Sequence, residues 1–114
     1  MRLDTIDRRH GIWFFFGGFA ELLLGRTAAA VALLQKSLER NPAYSAAHLF
    51  LMAALSLTGQ RSEATRMAGS FRHQYPEYPA YAFDQLWMSR SASPVYRAQV
   101  YPLVENIRAL GVAI

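Results

Sequence analysis

The chain repeats itself at an offset of 34 residues. Gly25 recurs as Gly59, Ala30 as Ala64, Pro42 as Pro76 and Tyr44 as Tyr78. Ala20 with Ala54, Leu23 with Leu57, and Ala46 with Ala80 keep the same spacing. A fixed period of this length restricts the chain to an array of helix–turn–helix units, because one such unit cannot hide its apolar face alone and must stack on the next. The expected fold is therefore all-α, with one core running through the stacked units.

The second helix of each unit carries the clearest pattern. From Gly25 to Pro42, Ala30, Leu33, Leu34, Ser37 and Leu38 fall on one helical face, while Gln35, Lys36, Glu39 and Arg40 fall on the other. Gly25 suits the turn before this helix, where a positive φ angle costs glycine little. Pro42 stops the helix, and Asn41 is restricted as the residue ahead of it. Gly59 to Pro76 restates the arrangement, with Ala64, Met67, Ala68 and Phe71 apolar and Arg61, Glu63, Arg66 and Arg72 facing water.

These segments resemble tetratricopeptide repeats, whose motif places a glycine before the second helix, a small residue five positions on and a proline seventeen positions after the glycine. Gly25, Ala30 and Pro42 satisfy it, as do Gly59, Ala64 and Pro76. The resemblance implies a right-handed α-solenoid, with repeat one over residues 11–44, repeat two over 45–78 and a degenerate third pair over 79–114 acting as a cap. All three form a single domain. In the third unit Ser93 takes the glycine position, Ala98 the small position and Leu110 the proline position. The first helices depart further from the family, with Glu21 and His48 at positions usually aromatic or apolar, and Met52 and Leu86 where Gly18 fits the usual small residue.

The closing stretch, W-M-S-R-S-A-S-P-V-Y-R-A-Q-V and then I-R-A-L-G-V, resembles the tail after the last repeat in bacterial signalling proteins. In those proteins such repeats follow an adenylate or guanylate cyclase domain or a winged-helix domain. That likeness implies an accessory module or a free-standing relative, since these 114 residues hold no catalytic or DNA-reading motif of either domain. Ser93 before Pro94 is a helix start, expected to lead a helix to Leu110 that ends at Gly111 and is kinked or split at Pro102.

The remaining chemistry is sparse. No cysteine is present, which removes disulfides and thiolate metal sites and suits a reducing cytoplasm. His10, His48 and His73 show no metal-ligand spacing, and no cofactor or metal is expected. Gly17-Gly18 follows no strand and precedes no lysine, so its expected use is close helix approach rather than phosphate binding. The net charge of +4 is spread over scattered arginines with no basic run, which points to a solvated face rather than specific nucleic-acid recognition. Arg8, Arg9 and His10 ahead of the apolar run from Gly11 to Leu24 imitate a signal peptide. Glu21 interrupts that run, and its register with residues 45–58 marks it as a repeat helix instead. It is also short of the roughly 18 residues that would suggest a membrane span. No enzymatic activity is expected.

The expected function is protein–protein interaction. By the family register, the inward residues are Ile12, Phe15, Phe19, Leu22 and Leu23 in repeat one and Ala46, Leu49, Ala53, Ser56 and Leu57 in repeat two. Ala80, Phe83, Trp87 and Arg90 follow in the third unit. The Lys, Arg and Asn set that lets some relatives clamp a terminal carboxylate is missing, so the surface is apolar and aromatic. Three readings stay open: a groove for a protein or peptide partner, core covered by the residues before Gly11 or by the final helix, or a face that pairs with a second copy as a homo-oligomer. Trp13, Trp87 and Phe14 to Phe16 are large enough to act as binding anchors.

Overall fold

The computed structural model describes residues 2–76 and 93–112, with side chains from residue 11 onward. Five helices occupy these residues: α1 Arg2–Leu23, α2 Thr27–Arg40, α3 Ser45–Leu57, α4 Arg61–Gln74 and α5 Pro94–Ala109. α1 packs with α2 and α3 with α4 as helical hairpins, and α2 against α3 joins the two. α5 returns to pack on α3 and reaches α1. This is the all-α, paired-helix architecture expected from the period. α1 begins well ahead of Gly11, so the first helix is longer than one repeat requires.

The two interhelical turns are the same structure built twice. At the end of α1 the Arg26 N–H donates to the Glu21 carbonyl at 2.8 Å and the Gly25 N–H to the Leu22 carbonyl at 3.0 Å. At the end of α3 the Gln60 N–H donates to the Leu55 carbonyl at 2.8 Å and the Gly59 N–H to the Ser56 carbonyl at 3.3 Å. Both are Schellman closures, which need a left-handed residue just past the helix. Gly25 and Gly59 supply it with φ of +81° and +83°. Nothing lies within 4 Å of a β-carbon at either site, so conformation and not space selects glycine there.

Small residues set the spacing within repeat one. A β-carbon on Gly18 would stand 2.8 Å from Leu34 Cγ, and Ala30 beside it is fully buried. Gly17 is in a different position, since its β-carbon would meet only Leu33 Cδ1 at an ordinary 3.5 Å. Close approach therefore belongs to Gly18. Ser37 sits in the buried face where a hydroxyl needs a partner, and it donates to the Gly11 carbonyl at 2.7 Å.

α3 is the centre of the molecule. Ala46, Ala47 and every residue from Leu49 to Leu55 are buried, because α2, α4 and α5 cover it from different sides. A helix apolar all round is what such a position demands. The faces expected in α2 and α4 also hold: Ala30, Leu34 and Ser37 are buried in one, Ala64, Ala68 and Phe71 in the other.

α5 starts and ends as the sequence implies. Ser93 accepts the Tyr96 N–H at 3.5 Å, Pro94 occupies the first turn, and Gly111 takes φ of +93°. It differs at Pro102. The helix is not split there but continues from Pro94 to Ala109. Pro102 is exposed, and its own carbonyl accepts the Asn106 side-chain amide at 3.2 Å.

Candidate functional site

The inward positions of α1 converge on one aromatic cluster. Phe15 and Phe19, one helical turn apart, stack with centroids 6.0 Å apart and nearly parallel planes. Phe50 from α3 meets Phe19 at 4.9 Å and Phe15 at 6.1 Å. Tyr44, just before α3, meets Phe15 edge-on at 4.9 Å. Such ring pairs add about 0.5–1.5 kcal/mol each beyond their area burial. The cluster therefore holds repeat one to repeat two.

α5 covers this face. Its buried residues are Val100, Leu103, Val104 and Ile107, the spacing of a single helical stripe. Tyr96 lies 6.5 Å from Phe19, edge to face. Polar contacts run along the helix: Gln99 donates to the Leu23 carbonyl at 2.9 Å, Ser56 to Asn106 Oδ1 at 3.0 Å, and Arg72 to the Leu110 carbonyl at 3.0 Å. An amphipathic helix thus lies against the inward sides of α1 and α3.

The expected groove residues stand as follows. Phe15, Phe19, Leu22, Leu49 and Ala53 are all buried, Leu23 is half-buried, and Leu57 is exposed. Phe83 and Trp87 lie outside the described residues. Of the three readings left open, core covered by the final helix describes this conformation, and an open apolar channel does not. Ser56 was expected to face inward and does, against Asn106. Ile12, also expected inward, is 40% exposed.

Among the anchors suggested by size, Trp13 is 65% exposed and Phe16 42%, while Phe14 is half-buried with Lys36 Nζ 5.6 Å above its ring. The exposed Leu24, Val95 and Tyr101 were not anticipated. A signal for Leu24 was present, since Trp13, Ala20 and Leu24 fall on one side of a helix at spacings of seven and four.

The polar groups have structural partners. His48 Nε2 donates to the Pro42 carbonyl at 2.7 Å, which fixes its proton on that nitrogen and ties α3 to the preceding turn. Tyr75, just after α4, ties the end of that helix to the same turn by donating to the Ala43 carbonyl at 3.1 Å. Arg26 pairs with Glu21, Arg66 with Glu63 and Arg108 with Glu105. The bond to Glu63 raises the Arg66 pKa above its ordinary value. A cleft of about 120 Å³ between α3 and α4 is lined by His48, Arg66, Met67, Ser70, Phe71 and Gln74. Among the described residues no three His, Asp or Glu side chains gather as a metal site, and no helix is long and apolar enough to cross a membrane.

Comparison with known proteins adds one family. The tetratricopeptide repeat model matches residues 21–82, from the end of α1 past α4, which is more than half of the chain. No curated protein and no solved structure matches. With paired helices, twin glycine turns and that match in agreement, this chain belongs to the tetratricopeptide repeat family.

Proposed function

We propose that this protein is an interaction module that receives a helical segment of a partner on the inward face of α1 and α3. The lining is Phe15, Phe19, Leu22, Leu23, Leu49, Ala53 and Leu57; the repeat register would add Phe83 and Trp87, which lie outside the described residues. Gly25, Ala30, Pro42, Gly59, Ala64 and Pro76 build the scaffold of a single domain with repeats at 11–44 and 45–78 and a cap at 79–114. One observation carries the reading: this face already holds an amphipathic helix, α5, by a stripe of four aliphatic side chains. A partner helix with the same spacing would take that place when α5 leaves it.

The test unseats α5 in the full chain with Val104→Asp and Ile107→Asp. A labelled peptide of residues 93–112 is then added and its fluorescence anisotropy followed. Binding to the variant at micromolar concentrations, with none to the parent chain, supports a face that accepts a helix in trans. If α1–α4 lose their helical signal, or the folded variant ignores the peptide, the face is core alone and the reading fails.

The accessory role beside a cyclase or regulator rests on the resemblance of the closing stretch alone.

A further inference from the structure

We propose that two copies of this chain pair through α1, antiparallel across a two-fold axis between Gly17 and Ala20. Trp13 of each copy then lies against Leu24 of the other. This surface is separate from the inward face that the proposed partner helix would use.

The internal repeat identifies what this side of α1 is built to meet. Moving 34 positions along the chain carries Ile12, Trp13, Phe16, Gly17 and Ala20 onto Ala46, Ala47, Phe50, Leu51 and Ala54. All five of the latter are buried, on the helix that α2 packs against. In repeat one the same side stands in solvent: Trp13 is 65% exposed, Leu24 63%, Phe16 42% and Ile12 40%, and Ala20 is exposed as well. The side that is buried in repeat two thus carries large exposed apolar groups in repeat one. Those four side chains leave on the order of 400 Å² of apolar surface accessible, at the level of the largest patch on a typical monomer.

Three features select a second copy as the occupant. First, a hairpin shaped like repeat one does not fit, because Trp13 and Ile12 replace the alanines that its counterpart meets in repeat two. Second, the stripe is complementary to itself when reversed. Bulky Trp13 and Leu24 lie at its ends and small Gly17 and Ala20 at its middle, so an antiparallel copy brings the two helices close at the centre and sets ends against ends. Leu33 of α2 borders the stripe, in ordinary contact range of Gly17, and Ala29 lies one turn before it. Third, the stripe carries no net charge to oppose pairing. Glu21, the single ionisable residue of α1 between Gly11 and Leu24, is paired with Arg26.

Two copies bring about 800 Å² of apolar surface together, below the roughly 1,200 Å² of a stable interface, which gives a weak dimer that dissociates in the high-micromolar range. Sedimentation of the full chain from about 1 µM to about 500 µM should show monomer passing to dimer and no further. Ala20→Arg, on an exposed position, should keep the helical signal and weaken dimerisation at least about tenfold. The chain has no cysteine, so Ala20→Cys provides a second reading that does not depend on disruption. The two residues flank the axis and should cross-link on oxidation, whereas Tyr101→Cys on exposed α5 should not. A monomer throughout the range overturns the proposal, as does a dimer indifferent to Ala20→Arg. Growth beyond the dimer that is blocked by Tyr101→Glu overturns it in favour of head-to-tail stacking.

Discussion

Gly17 and Gly18 are neighbours on one helix, and replacing each by alanine should move stability in opposite directions. An alanine gains about 1 kcal/mol over glycine inside a helix, through reduced freedom of the unfolded chain. At Gly17 little opposes this gain, because the added methyl would touch only Leu33 Cδ1 at 3.5 Å. Gly17→Ala should therefore stabilise by about 0.5–1 kcal/mol. At Gly18 the methyl would fall 2.8 Å from Leu34 Cγ, 3.0 Å from its Cδ2 and 3.3 Å from the Ala30 carbonyl oxygen. Leu34 is fully buried, so its side chain is held among packed neighbours. Overpacking of this kind costs about 1–3 kcal/mol, which leaves Gly18→Ala net destabilised by about 1 kcal/mol. The two variants should differ by about 2 kcal/mol, or about 1 M in urea midpoint for a domain of this size. Urea titration of dilute protein by circular dichroism reads the difference directly. Gly18→Ala combined with Leu34→Ala, which removes the clashing γ- and δ-carbons, should cost less than the sum of the two single variants. Equal stabilisation by both alanines would refute the claim that Gly18 sets the α1–α2 distance.

The twin turns provide a second test: Gly25→Ala and Gly59→Ala should each cost about 1–2 kcal/mol of stability, because φ near +80° penalises any β-carbon. Two equal melting shifts are expected, and a neutral result at either site would contradict the closure assigned to it. Ala30→Leu and Ala64→Leu should each destabilise by about 1–3 kcal/mol or more, as both alanines are fully buried where paired helices meet. A leucine tolerated at both would remove the basis of the repeat register. Ser93→Ala should cost about 1 kcal/mol and loosen α5 at its start, read as faster amide exchange in residues 94–98 than elsewhere.

The features legible in the sequence were those fixed by local conformation. Gly25, Gly59 and Gly111 announce positive φ, Pro94 after Ser93 announces a helix start, and the alternating faces of α2 and α4 follow from which side can afford Arg, Lys and Gln. What was hidden depends on a third body. Phe15 and Phe19 are apolar whether they line an open channel or a filled one, and the packing of α5 across α3 decides between the two. Trp13 was equally ambiguous, since one turn of helix separates an inward indole from an outward one, and Ile12 shows the same ambiguity resolved against the register. Pro102 was expected to interrupt a helix. Its exposed position leaves α5 continuous, with the missing N–H on the wet side, where water can satisfy the freed carbonyl.

Four of the polar ties between distant segments share a property with genetic consequences. Ser37, Arg72, Tyr75 and Gln99 each cross to another segment and end on a main-chain oxygen, at Gly11, Leu110, Ala43 and Leu23. Every amino acid offers that oxygen, so the bond itself sets a side-chain requirement on the donor and none on the receiving position. Selection on these contacts acts on one residue of each pair. Coevolution between these partners would leave no trace, and of the bonds that seat α5 a contact map inferred from correlated substitutions could register only Ser56–Asn106, which joins two side chains.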